Sequence, residues 1–176
     1  RDVYKNVFQK SNGTLNELVG KFCNDLGISN TENLNNFFIG KFSDNNINNT
    51  ISNDKITLIR DLKENGYKVI LFSNSCCLLN NDAIKEIYDL VDGVFYSYDI
   101  GYTKDDKESY QYVEKTLNVK PTEILHIGDT LKSDYLKPVE NGWNALFYGV
   151  SDDESVNCIS SLMELYDFFD IRTSKK

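Results

Sequence analysis

Residues 123–143 read EILHIGDTLKSDYLKPVENGW, and the way this stretch breaks decides the fold. Ile124, Leu125 and Ile127 form a short apolar, β-leaning run, Gly128 permits a sharp turn, and Asp129 follows at the strand end. Asp134 then opens a predicted helix that is interrupted at Pro138 and stopped by Gly142. Strand end and helix start can bring the two carboxylates together. Two like charges at close range repel unless a cation sits between them, and the common solution is a hard divalent ion held by oxygen. Asp129 and Asp134 therefore read as a Mg²⁺ site.

Outward from that stretch, strands and helices alternate. Helices are expected over 54–65, 82–90, 106–117, 132–140 and 156–169, and strands over 68–74 (KVILFSN), 94–99 (VFYSYD), 124–129 (ILHIGD) and 144–150 (NALFYGV). This order implies an α/β fold with a Rossmann-like parallel sheet covered on both faces. Residues 1–50 differ. Val3, Val7 and Phe8 lie near one helical face. Thr14 and Glu17 form a T-x-x-E capping box ahead of Leu15, Leu18, Val19, Phe22, Cys23 and Leu26, with Gly27 as the stop. Ser29 and Glu32 suggest a second box before a shorter helix carrying Leu34, Phe37 and Phe38, and the polar run 43–53 reads as a hinge. The expected organisation is a small helical subdomain over 1–50 and an α/β core over 51–176.

Composition narrows the function. The 176 residues are 40% hydrophobic, enough for one sizeable core, and the net charge of −8 argues against nucleic-acid or anionic-membrane partners. No apolar run approaches a bilayer span, and no secretion signal opens the chain. Cys23, Cys76, Cys77 and Cys158 lack metal-type spacing, and two are adjacent, as suits reduced thiols in a cytosol.

Ligands of open α/β sheets collect at the carboxyl ends of strands. One such end carries Ser73 and Asn74, which alone read as a turn or helix cap. A second leads to Lys104, which alone reads as a solvated residue paired with Asp105, Asp106 or Glu108. The third carries Asp129. Together these residues resemble the haloacid dehalogenase (HAD) superfamily: GDTLKSD resembles its fourth motif, Ser73 the Ser or Thr of its second, and Lys104 the Lys of its third, with K-D-D standing for the common K-P-D. The helices of 12–40, opening with GTLNEL, resemble a C1-type cap. The resemblance implies Mg²⁺-dependent phosphoryl transfer on a small phosphorylated substrate. Asp129 and Asp134 would serve the metal, Lys104 would bridge nucleophile and phosphate, and Ser73 with Asn74 would hold the phosphoryl group. His126 is expected to pack within its strand.

The nucleophilic Asp of the family's D-x-D-G-T motif is missing. Its only echo is KSNGTL, where Lys10 and Asn12 occupy the Asp positions and neither can form an aspartyl-phosphate. The expectation is that GTL here starts a cap helix. The first strand would then lie upstream of Arg1, or come from another chain, and fill a slot between 68–73 and 123–128. Direct pairing of those two strands is the alternative. A non-catalytic HAD-like binding module, or one half of a split fold, is the competing function.

Overall fold

A computed structural model describes residues 2–43, 51–79 and 85–171. In chain order the helices are α1 (Asp2–Tyr4, continuing as a π-helical turn over Lys5–Gln9), α2 (Leu15–Leu26), α3 (Glu32–Ser43), α4 (Asn53–Glu64), α5 (Lys85–Tyr88), α6 (Ser97–Ile100), α7 (Lys107–Leu117), α8 (Lys137–Glu140) and α9 (Leu165–Phe168). The strands are β1 (Ile70–Ser73), β2 (Gly93–Tyr96), β3 (Leu125–Gly128), β4 (Asn144–Tyr148) and β5 (Cys158–Ile159). Every described strand pairing is parallel, as the alternation of strands and helices predicts.

The chain folds as two compact units, one of 1–51, 70–89 and 93–103, the other of 52–69, 90–92 and 104–176. In the first, α2 begins as its sequence dictates. Glu17 Oε2 accepts from the Thr14 amide at 2.7 Å while Thr14 Oγ1 accepts from the Glu17 amide at 3.4 Å. Gly27, with φ +66°, closes the helix in the left-handed conformation, and the Ile28 amide donates to Cys23 O at 3.0 Å. The face so aligned buries Leu18, Val19 and Cys23 against Val7, Phe8, Phe38 and Cys76, with the Phe8 and Phe38 rings stacked at 4.9 Å.

One expectation fails here: Thr31, rather than Ser29, caps α3, its Oγ1 accepting from the Leu34 amide at 3.3 Å. Of the two adjacent phenylalanines that the helix carries, Phe37 is 63% exposed and Phe38 3% exposed, because adjacent helical residues point about 100° apart. Leu26, at the end of α2, is exposed.

β1 and β2 form the sheet of this unit, in register Ile70↔Gly93 through Ser73↔Tyr96. The expected strand over 94–99 stops at Tyr96, and Ser97 turns the chain into α6. A reciprocal clip holds that turn: the Ser75 amide donates to Ser97 Oγ at 3.0 Å, and Ser97 Oγ donates to Ser75 O at 3.1 Å. Both serines are buried, so each polar group finds a partner where water does not reach. Most of the polar run over 43–53, and the start of the expected helix over 82–90, lie outside the described residues.

The second unit holds the sheet β3-β4-β5, with register Leu125↔Asn144 through Gly128↔Phe147. Leu58 and Leu62 of α4 pack with Leu146, Ile159, Leu165 and Ile171, and Leu125 and Ile127 lie against this core. The helix expected over 156–169 is instead the short strand β5, a 3-10 turn and α9. Phe147 and Tyr148 draw residues 158–159 into a parallel ladder, a non-local pairing that local helical periodicity does not register. β1 pairs with β2 and β3 with β4, and among the described residues the two sheets share no strand, so the direct pairing of 68–73 with 123–128 is not observed. Among the described residues no helix is long and apolar enough to cross a membrane.

The two adjacent phenylalanines of α3 give a direct check on the first core. Phe38→Ala should cost about 3–5 kcal/mol in urea unfolding, whereas Phe37→Ala should stay within about 0.5 kcal/mol. Equal losses would contradict the packing described.

Candidate functional site

Strand alternation divides β3 between two environments. Leu125 and Ile127 face the hydrophobic core, and the intervening His126 projects to the other side, where its ring lies 6.2 Å from that of Trp143. There it meets Lys104 and Asp134. Lys104 Nζ donates to Asp134 Oδ1 at 2.6 Å and lies 3.2 Å from His126 Nε2, which is itself 3.3 Å from Asp134 Oδ1. All three side chains are buried, with Lys104 6% and Asp134 5% exposed. Lys104, which alone reads as a solvated residue, is therefore buried, with Asp134 as a partner.

The local chain explains this placement. Lys104 precedes α7, whose Tyr110 is buried and donates its hydroxyl to Lys104 O at 2.8 Å, anchoring the lysine backbone from one turn ahead. Tyr110 stands edge-on against Trp143 at 4.9 Å, and the Trp143 indole donates to Glu114 Oε1 at 2.8 Å. Asp134 sits in a π-helical turn over Leu131–Leu136, where Lys137 donates five residues back to Lys132 O. Pro138 lacks an N–H, and its ring would clash with the carbonyl of Asp134 in a regular helix, which favours the wider turn. The Thr130 amide donates to Asp134 Oδ2 at 3.0 Å, so both carboxylate oxygens are engaged.

Gly128 is required by the same arrangement. A Cβ there would lie 2.5 Å from Asp134 Cγ and 2.7 Å from its Oδ2. The glycine admits the carboxylate against the strand end.

Burial alone would raise the Asp134 carboxyl, but the hydrogen bond from His126, the Lys104 charge and the Thr130 amide outweigh it and hold the group well below the usual carboxylate range. His126 moves the other way. Burial and the nearby Lys104 charge push its imidazole below the ordinary value, against the contrary pull of Asp134. The cluster thus pairs one ammonium with one carboxylate around a neutral ring.

Asp129 follows β3 directly and is exposed. Its Oδ1 accepts a long bond of 3.5 Å from Thr130 Oγ1, so Thr130 serves both acidic residues, its hydroxyl to Asp129 and its amide to Asp134. Among the described residues no group of three or more His, Cys, Asp and Glu side chains is gathered to hold a metal. Mg²⁺ commonly takes one or two carboxylates and completes its shell with water and phosphate oxygens. Asp129 fits that demand as a direct ligand. Asp134, neutralised by Lys104, has less to offer a cation.

Ser73 and Asn74 lie half-buried at the end of β1, in the first unit, while Lys104, Asp129 and Asp134 belong to the second. Lys10 and Asn12 do not follow a strand: the residues before them form α1 and its π-helical turn, and Thr14 caps α2. GTL is a helix start, as expected.

A sequence profile of haloacid dehalogenase-like hydrolases matches residues 16–136, more than half of the chain. The chain belongs to the haloacid dehalogenase-like hydrolase family. A search of curated proteins finds no matching sequence. Solved structures give the same fold at low identity. A HAD phosphatase from Thermococcus onnurineus aligns over 90% of this chain and 89% of its own at 18% identity and TM-score 0.62. A HAD family enzyme of Bacteroides thetaiotaomicron, in complex with magnesium and inorganic phosphate, aligns over 84% and 75% at 18% identity and TM-score 0.59. A dehalogenase aligns over 88% and 71% at 17% identity and TM-score 0.60.

Two residues of the cluster escape the sequence reading. His126 is assigned there to packing, although a histidine between two inward-facing aliphatics in a strand must face the other side of the sheet. Thr130 carries no signal in the sequence, because its amide does the work.

Two measurements test the cluster. Lys104→Met leaves a buried carboxylate unpaired and should cost about 3–5 kcal/mol in urea unfolding, and adding Asp134→Leu should recover most of that loss. A Lys104→Met variant as stable as the parent would refute the buried pair. The second concerns pH. His126, the chain's only histidine, has a folded value below its unfolded value of about 6.5, so the unfolded state takes up the proton first and stability falls as pH drops through that point. Asp134 acts in the same direction only in the carboxylate range, and Asp99, raised by burial, acts oppositely there. With metal removed by EDTA, the melting temperature should decline from pH 7.5 to 5.5, and His126→Leu should flatten the decline. An unchanged slope would mean that folding leaves the proton affinity of the ring unaltered.

Proposed function

We propose that this chain is the larger part of a Mg²⁺-dependent phosphatase acting on a small phosphomonoester. The observation that carries this is the buried Lys104, pinned by Asp134 and joined through Thr130 to the exposed Asp129 at the end of β3. A lysine in a water-excluded position is expensive to keep, and its use is to present a fixed positive charge where negative charge accumulates. Lys104 supplies that charge to phosphoryl oxygens, and Asp134 orients it. Asp129 holds the Mg²⁺. Bound there, Mg²⁺ neutralises phosphate oxygens and leaves the phosphorus open to attack. The HAD phosphatase of similar fold and the magnesium and phosphate complex of another relative favour this reading over dehalogenation. Residues 1–50 act as the helical cap that selects the substrate.

Because the D-x-D-G-T motif is missing and KSNGTL is a helix start, this reading assigns the nucleophile to a segment outside these 176 residues. A non-catalytic phosphate-binding module is the competing reading, favoured by the same missing motif. The two separate cleanly. The 176 residues alone should not turn over p-nitrophenyl phosphate with Mg²⁺, while a version extended upstream through a strand ending in D-x-D should, and Asp129→Asn should reduce that activity on the order of 10²-fold or more. An extended version that binds phosphate without turnover would establish the binding module.

A further inference from the structure

Three asparagines of the chain are followed by glycine: Asn12-Gly13, Asn65-Gly66 and Asn141-Gly142. Such a pair is chemically reactive, because glycine has no Cβ to keep its backbone nitrogen away from the preceding side chain. In the reaction the glycine nitrogen loses its proton to water and attacks the asparagine Cγ. The Cγ–Nδ2 bond breaks, and Nδ2 leaves as ammonia with a proton from solvent. Water then opens the five-membered imide at either carbonyl, so asparagine and water become aspartate or isoaspartate and ammonia. Tertiary structure decides which of the three pairs can follow this course.

Two of them are locked. Asn65 closes α4 and Asn141 closes α8, with ψ of 11° and 8°. A ψ near zero turns the following nitrogen toward the residue's own backbone nitrogen and away from its side chain. Each side chain is also held, Asn65 Nδ2 donating to Asp61 O at 2.8 Å and Asn141 Nδ2 to Lys137 O at 2.9 Å. The glycine amides are engaged in the same turns, Gly66 donating to Lys63 O at 2.9 Å and Gly142 to Val139 O at 3.0 Å. To react, either pair must first open its helix end.

Asn12 stands differently. It is exposed, it lies in the irregular stretch ahead of α2, and the Gly13 amide donates to Asn12 Oδ1 at 3.1 Å. The attacking nitrogen is therefore held beside the side-chain amide whose carbon it attacks, and the N–H that the reaction removes is bonded to that same amide. On the other side, Asn12 Nδ2 donates to Asp99 Oδ1 at 3.2 Å, which fixes the rotation of the group. Both residues belong to the first unit. We propose that Asn12 is a site of spontaneous deamidation in the folded protein, where the product carboxylate faces Asp99. A hydrogen bond is then exchanged for a like-charge contact, and the tie between residues 11–14 and α6 loosens.

The test has two arms. In the first, the 176-residue chain is incubated at pH 8, folded and in urea, and digested at intervals for mass spectrometry. The mass gain at each of the three asparagines is followed, with electron-transfer fragmentation separating aspartate from isoaspartate. In urea the three should react at similar rates, whereas in the folded chain Asn12 should outrun Asn65 and Asn141 by about 10²-fold, the scale on which misplaced reacting atoms slow a reaction. Similar rates at the three in the folded chain, or protection of Asn12 by folding as strong as that of the other two, overturns the proposal.

The second arm makes the product directly. Asn12→Asp should lower the melting temperature by about 1–3 °C, and adding Asp99→Asn should restore most of the loss. No loss, or a loss that Asp99→Asn does not relieve, overturns the contact between the new carboxylate and Asp99. Neither arm depends on phosphatase activity.

Discussion

A lysine and an aspartate joined at 2.6 Å, each with its side chain only 8% exposed, impose the conditions that the surrounding chain of this unit has to meet. Taking two charges out of water costs several kcal/mol each, and their attraction offsets that only if the geometry is tight and the remaining hydrogen-bonding capacity is used. The requirement accounts for features that otherwise look unrelated. Gly128 has no side chain because Asp134 occupies the space, Thr130 turns its amide to the free oxygen, and Tyr110 fixes the lysine backbone. His126 Nε2 lies within hydrogen-bonding distance of both the ammonium and the carboxylate.

The pair also sorts the acidic residues by role. A carboxylate that is held by an ammonium, an amide and an imidazole is already neutralised and keeps its charge through those partners. Asp129, exposed and one residue beyond the strand, has no such entanglement. Two aspartates five apart thus divide the work that a symmetric pair would share. One is buried against a cation of the protein, and the other stands exposed at the strand end, where the proposed function assigns it the metal. The division follows from the wider π-helical turn, which swings Asp134 back toward the strand and leaves Asp129 at its end.

The two units rest on different kinds of stability. The first is dominated by aromatic contacts, with Phe8 at its centre touching Tyr4, Phe22, Phe38 and Phe42. The second combines an aliphatic core under β3 and β4 with the polar cluster on the opposite side of the strand. Cys76 belongs to the first kind: burial pushes its thiol up to about 11, so it behaves as a small apolar side chain rather than a nucleophile.

How much of this the sequence determined follows from the range of each interaction. The cap of α2, the left-handed close at Gly27, the parallel α/β order and the motif residues at the strand ends depend on neighbours within a few positions, and they were legible. Local reading failed where a partner distant in sequence decides. Residues 158–159 become a strand only because β4 is there to pair with them, and Phe37 and Phe38 differ only because one of them meets Phe8. The burial of Lys104 is of the same kind, since nothing near it in sequence announces Asp134, thirty residues on. The sequence by itself determined which charged residues the chain carries and the order in which strands deliver them. Only the tertiary structure decided which of them lose their water, because desolvation is a property of everything packed around a charge and not of the charge or its neighbours in the chain.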